Sequence, residues 1–188
     1  MATHNRTPKG RAATAITDVA PMVIPGLLQT ADYTRAIMVA GEIAPTEIET
    51  RVLVRVGRRE VFTRRQPANL LALVDETVIR REIGGHYVMI DQLRHLLDIS
   101  ERPNVTLQVM PAGCGWHPGL DGPFMVLESA DGLPIVHLEN RRAGLFFHEP
   151  DDVQAYQLAA EKIRKVALSP AASAELIAGV ISELETTR

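Results

Sequence analysis

Residues 111–122 read Pro-Ala-Gly-Cys-Gly-Trp-His-Pro-Gly-Leu-Asp-Gly. Four glycines and two prolines in twelve residues exclude a regular helix or long strand across this stretch. Any sheet element that reaches residue 110 must end there, and the chain must restart near residue 123. The break separates an N-terminal part with mostly helical apolar spacing from a C-terminal part that opens with short strand-like runs.

On the N-terminal side, residues 1–20 carry Arg6, Lys9 and Arg11 among small and turn-forming residues, and we read them as a flexible arm. Pro25-Gly26 punctuates the chain, and Leu27, Leu28, Tyr33, Ile37 and Met38 then predict a helix from Leu27 to about Ala40, closed by Gly41. Pro45-Thr46 opens a second helix reaching to about residue 65. Ile48, Val52 and Val56 form its apolar stripe, and Arg51, Arg55, Arg58 and Arg59 share another face. With Glu47 and Glu60 nearby, that basic face reads as solvated; the alternative is a surface for an acidic partner or nucleic acid. Asn69 to Val74 is a continuous apolar run and reads as a buried strand. Asp75 then caps a short helix carrying Glu76 and Arg80, which Gly84-Gly85 ends. Met89, Leu93, Leu96 and Leu97 line an amphipathic helix to Ile99, and Val105 to Met110 alternates as a strand.

Beyond the break, Pro123–Glu128, Ile135–Glu139 and Leu145–His148 read as short strands, joined by turns at Asp131-Gly132 and at Asn140 to Gly144. Pro150 to Val166 carries a helical stripe, and Ser169-Pro170 starts a last helix with Leu176, Ile177, Val180, Ile181 and Leu184 on its apolar side. These elements predict an α+β fold. A small, mostly antiparallel sheet of four or five strands is packed with N-terminal and C-terminal helices, forming one domain over residues 21–188 behind the arm.

Composition narrows the function classes. The 188 residues carry a net charge of −3, which does not indicate a general nucleic-acid-binding surface, and 4% aromatics offer few base-stacking platforms. A single cysteine, Cys114, excludes an intrachain disulfide. No apolar run approaches about 18 residues, and Met1 to Arg11 lacks the apolar core of a signal peptide. A cytoplasmic protein without membrane contact is expected.

The 111–122 loop is the first site candidate. Trp116 offers a flat apolar contact, and His117 can donate or accept near neutral pH. The competing role is a connecting loop whose Trp116 caps the core. Glu76 lies at the end of a buried strand, where it can bind ligand or pair with Arg80. Glu139 and His137 alternate on one strand and share a face, where Glu139 can meet a cationic group or pair with Arg141 or Arg142. The ligand-binding set is thus Glu76, Arg80, Trp116, His117, Phe124, His137 and Glu139. The acid–base candidates are Glu76, His117, His137 and Glu139. Cys114, His117, His137 and Glu139 lack metal-ligand spacing, and a Cys114–His117 nucleophile pair has no evident orienting residue, so neither a metal nor a cofactor is expected.

A set of blocks in order carries a family resemblance. They are Pro25-Gly26-Leu27-Leu28-Gln29-Thr30, Arg65-Gln66, Asp75-Glu76 with Arg80 and Gly84-Gly85, Met89 through Gln92-Leu93, Pro103-Asn104-Val105, His117-Pro118-Gly119 with Gly122-Pro123-Phe124, and Glu139. Over about residues 22–182 the chain resembles DUF5753, a domain of unknown function that follows a helix-turn-helix module in many actinobacterial regulators of the Xre type. One departure is His137, where the family more often has an aromatic residue. The other is that about two dozen residues precede the motif, too few for a helix-turn-helix. The resemblance implies a stand-alone sensing domain that binds a small molecule or a regulator protein, with direct nucleic-acid contact not expected and a homodimer through the C-terminal helices as one expected assembly. The rival reading is an enzyme of specialised metabolism using the Glu and His side chains above, and the sequence leaves the two open.

Overall fold

In a computed structural model the described residues are 12–130, 132–139 and 143–186. A single six-stranded mixed sheet forms the centre. Its strands are β1 (Ala15–Ala20), β2 (Asn69–Asp75), β3 (Val105–Met110), β4 (Phe124–Ser129), β5 (Gly132–Glu139) and β6 (Gly144–Phe147), in the spatial order β3-β2-β1-β4-β5-β6. The β1–β2 and β2–β3 pairs are parallel, and the β1–β4, β4–β5 and β5–β6 pairs are antiparallel. The helices are α1 (Ala31–Ala40), α2 (Pro45–Gly57), α3 (Glu76–Arg80), α4 (His86–Ser100), α5 (Pro150–Val166) and α6 (Pro170–Thr186).

The expected α+β class holds, with two corrections. Residues 15–20 are not part of a flexible arm: they form β1, at the centre of the sheet between parallel β2 and antiparallel β4. This adds a sixth strand to the four or five expected; three of the five strand pairs are antiparallel, and the two parallel ones, β1–β2 and β2–β3, are joined by helical crossovers. Residues 1–11 of the arm, together with Asp131 and residues 140–142 of the two expected turns, lie outside the described residues. The twelve-residue break contains only two short 3-10 turns, Ala112–Cys114 and Pro118–Asp121.

Each face of the sheet has its own core. On the first, Ile16, Ala72, Leu107 and Leu127 pack with Leu93 and Leu96 of α4 and Ile177 of α6. On the second, Val19, Leu73, Phe124 and Val136 pack with Val153 and Ile163 of α5. α1 and α2 extend the first layer through a satellite cluster of Met38, Ile48 and Val52. Local signals set the boundaries. Thr30 caps α1, accepting from the Tyr33 N–H, and the Ser169 hydroxyl accepts from the Ala172 N–H at the start of α6. Gly84 adopts φ +82°, where a side chain would be strained and its Cβ would lie 2.8 Å from Val88 and 2.9 Å from Ala36. That close approach seats the α3–α4 junction against α1. Among the described residues no single helix is long and apolar enough to cross a membrane.

Candidate ligand pocket

Strand alternation puts Ile16, Asp18 and Ala20 of β1 on one face of the sheet. Ile16 and Ala20 enter the first core; Asp18 is the polar exception, only 6% exposed. Cross-strand register extends its row, with Asp18 opposite Met125 of β4, Met125 opposite His137 of β5, and His137 opposite Phe146 of β6. His137 stacks on Phe146 with ring centroids 4.5 Å apart. Two residues further along β5, Glu139 points to the same side.

Helices α4 and α6 cover this face only over β1, β2 and β3. Over β1, β4 and β5 it is roofed by the segment 21–29 and by α2, leaving a cavity of about 340 Å³. Its floor is Asp18, Met125, His137 and Glu139; Val23, Ile24 and Leu27 form apolar walls; Arg55 comes from α2, which ends at Gly57 rather than near residue 65, and Arg58 from the 3-10 turn Arg58–Phe62 that continues it. The cavity sits at the end of β1, where the chain passes to β2 on one side while β4 flanks the other. Open sheets with parallel strands commonly hold ligands at such a switch point.

The roof is fixed by a buried polar network that explains the Pro25–Thr30 motif. Pro25 starts a 3-10 turn over Gly26–Leu28. The Gln29 amide donates to the Ile24 carbonyl at 2.7 Å, and its Oε1 accepts from Thr34 and from Arg55, each at 3.2 Å. Arg59 donates to the Gln29 main-chain carbonyl. From α4, the Gln92 amide donates to the Leu28 carbonyl at 2.8 Å and accepts from the Thr30 N–H at 2.7 Å. The basic face of α2 is therefore divided. Arg51 stays in an outer ion pair with Glu47, whereas Arg55, Arg58 and Arg59 are half-buried and turned toward the pocket and its roof.

Charge inside the pocket is strongly coupled. Burial, and next the charge of Glu139, push the Asp18 carboxyl from 3.8 to about 7. Burial pushes the Arg55 and Arg58 guanidinium groups down; on Arg58 the neighbouring Arg55 adds to this, and Glu139 opposes it on both. Burial and the Glu139 charge thus both favour the neutral form of the Asp18 carboxyl.

The sequence candidates divide between this pocket and other places. His137, Glu139 and Phe124 line it, although the Phe124 ring also belongs to the second core, edge-on to Tyr156 at 5.0 Å. Glu76 and Arg80 do not line it. Glu76 accepts from the Arg80 guanidinium at 2.7 Å and from the Ala112 N–H at 2.9 Å, and Arg80 continues to Glu183 of α6 at 2.8 Å, so the pair ties the glycine-rich loop and α6 to α3. The expected pocket between the sheet and the 111–122 loop is a separate, smaller cleft of about 260 Å³, lined by Asp75, Cys114 and His117 among others. There Asp75 caps α3 through the Thr77 N–H at 2.8 Å and stands 3.9 Å from Nε2 of the buried His117. Trp116 is 71% exposed and neither caps the core nor lines the larger cavity. Because Cys114 and His117 line one cavity and His137 and Glu139 the other, those four side chains form no common site. Arg141 and Arg142 lie outside the described residues.

Sequence reading missed Asp18, and it singled out Gln29, Arg55 and Arg58 without placing them at a pocket. The available signal for Asp18 was Ala15-Ile16-Thr17-Asp18-Val19-Ala20, a short apolar alternation hidden by its polar neighbours. For Arg55 and Arg58 there was none, since a helix face does not state what it packs against.

No curated protein and no solved structure matches the chain. The family model of the domain of unknown function DUF5753 matches residues 10–179 of the 188. That span includes all six strands, the pocket and most of α6, and the chain therefore belongs to the DUF5753 family.

Proposed function

We propose that this domain is a ligand-binding sensor module whose ligand occupies the cavity between the sheet, the 21–29 segment and α2. The observation that carries this reading is the Asp18 carboxyl, buried among apolar walls and facing a cavity of small-molecule size beside Glu139, Arg55 and Arg58. A buried carboxyl without a hydrogen-bond donor is costly, and a protein that keeps Asp18 at the wall of such a cavity gains from a polar ligand that supplies the donor. A route to a partner runs through α2. Arg55 and Arg59 tie it to Gln29, and its other side exposes Leu53 and Val54, a face suited to a regulator protein. The inward turn of Arg55, Arg58 and Arg59 weighs against direct nucleic-acid contact by that helix, because phosphate binding needs solvent-facing cations.

A second reading, an enzyme on the same cavity, is favoured by one observation. Asp18, His137 and Glu139 line one cavity, and a buried carboxyl pushed up to about 7 is suited to general acid–base work there. Its participants would be Asp18, His137 and Glu139; Glu76 and His117, lying outside the cavity, are dropped from that role.

Native mass spectrometry of the purified protein, repeated after denaturation, tests the binding reading. A co-purified molecule held by the wild type and released by Ala20→Trp, which fills the cavity wall, supports it. A molecule held equally by both proteins places the ligand elsewhere and overturns the assignment.

A further inference from the structure

The groups around the cavity narrow its ligand, if the cavity is the binding site as proposed above. On the floor, Asp18 and Glu139 offer two carboxyl groups from neighbouring parts of one sheet face. In the roof, Arg55 in the last turn of α2 and Arg58, the residue that follows it, carry two guanidinium groups. The apolar lining around them includes Val23, Ile24 and Leu27. Among the described residues, no donor hydrogen-bonds the Asp18 carboxyl. It is the buried polar group whose partner the ligand must supply.

With Asp18 ionised, the two acids and two arginines balance. A ligand bearing one net charge would upset that balance, whereas a ligand that carries both an ammonium and a carboxylate would preserve it. We infer that the cavity takes a small zwitterion with an apolar body, the chemical class of a free hydrophobic amino acid, its ammonium group on Asp18 and Glu139 and its carboxylate on Arg55 and Arg58. Planar guanidinium groups bind carboxylates in two-pronged fashion, which fixes the ligand's direction. The aliphatic or aromatic body lies against the 23–27 wall.

Occupancy is then linked to protons. The groups facing Asp18 are Glu139 and His137 from β5, Arg55 from α2 and Arg58 just beyond its end. In the empty pocket Asp18 holds a proton up to about pH 7. An ammonium group requires it ionised, so binding at pH 6 releases a proton, and binding at pH 8.5 does not.

The test uses three probes that share a phenyl body: L-phenylalanine, 2-phenylethylamine without the carboxylate, and 3-phenylpropionate without the amine. Each is titrated calorimetrically into the whole chain at pH 6 and pH 8.5, in two buffers of different ionisation enthalpy to count protons. L-Phenylalanine is expected to bind at least tenfold more tightly than either truncated probe and to release close to one proton at pH 6. Asp18→Asn should lose at least tenfold in affinity and all of the proton release, and Glu139→Gln should weaken the amine probe more than the acid probe. Equal or tighter binding of 3-phenylpropionate, or binding of L-phenylalanine without proton release, overturns the zwitterion while leaving the cavity as a binding site. If uncharged indole binds, and is blocked by Ala20→Trp, while none of the three charged probes does, the ligand class falls but the pocket stands. If neither indole nor any charged probe binds, both readings fall.

Discussion

Asp18→Asn is the substitution that most directly probes the electrostatics of the pocket. In the folded chain the Asp18 carboxyl is pushed up to about 7 from 3.8, first by burial and then by Glu139. Its folded value lies above its unfolded one, so the folded state binds the extra proton between these two values. Stability attributable to this group is therefore highest below about pH 4, declines by about 1.4 kcal/mol for each unit of pH between 4 and 7, and is level above 7. A shift of about three units corresponds to a penalty on the order of 4 kcal/mol in the ionised state. Asparagine has nearly the same shape and never ionises, so the variant should be more stable than the wild type at pH 8 by up to about 4 kcal/mol and nearly equal to it at pH 4. Urea unfolding of both proteins from pH 4 to pH 9, analysed as the difference between them, isolates Asp18, since all other titrating groups are common to both. Parallel stability curves across that range would refute the argument and show that Asp18 is solvated or paired when folded.

Other substitutions test the framework around the pocket. Gly144→Ala places a methyl group 2.8 Å from His137 Nε2; the ring must move off Phe146, at a cost of about 1–3 kcal/mol, with a change in the His137 imidazole NMR shifts as the readout. Gln92→Met keeps the volume but strands the Leu28 carbonyl and the Thr30 N–H. A loss of about 1–3 kcal/mol for each stranded group is expected, with faster amide exchange confined to residues 24–30. Gly84→Ala combines an unfavourable positive φ with a clash on Val88 and Ala36 and should lower stability by at least about 2 kcal/mol in thermal unfolding. Glu76→Gln removes a partner from Arg80 and weakens the hold on Ala112. Because the Ala112 N–H and next Arg80 hold this carboxyl below the usual range, its contribution is present at neutral pH and fades as pH falls through the folded value. Any stability difference from the wild type should accordingly disappear in acid, and one that persists at low pH would contradict that linkage.

The sequence by itself determined the elements whose signals are local. The runs of β2 and β3, the helix start at Ser169-Pro170 and the Gly84-Gly85 junction lie where period, caps and turn residues placed them, because propensity and capping act over a few neighbouring residues, whereas the first helix, expected from Leu27, begins at Ala31 behind the Thr30 cap. Alternation on β5 likewise put His137 and Glu139 on one face before any contact was known. Tertiary structure decided what depends on partners distant in sequence. β1 is a strand because β2 and β4, some fifty and a hundred residues away, hydrogen-bond to both its edges. That pairing buries Asp18 and changes its proton affinity, a property no local pattern encodes. The same holds for α2. Its arginines lie on a helical face that reads as solvated, and only the packing of that helix over the 21–29 segment turns Arg55 and Arg58 into the roof of a pocket, since the free energy of a charged side chain is set by what covers it.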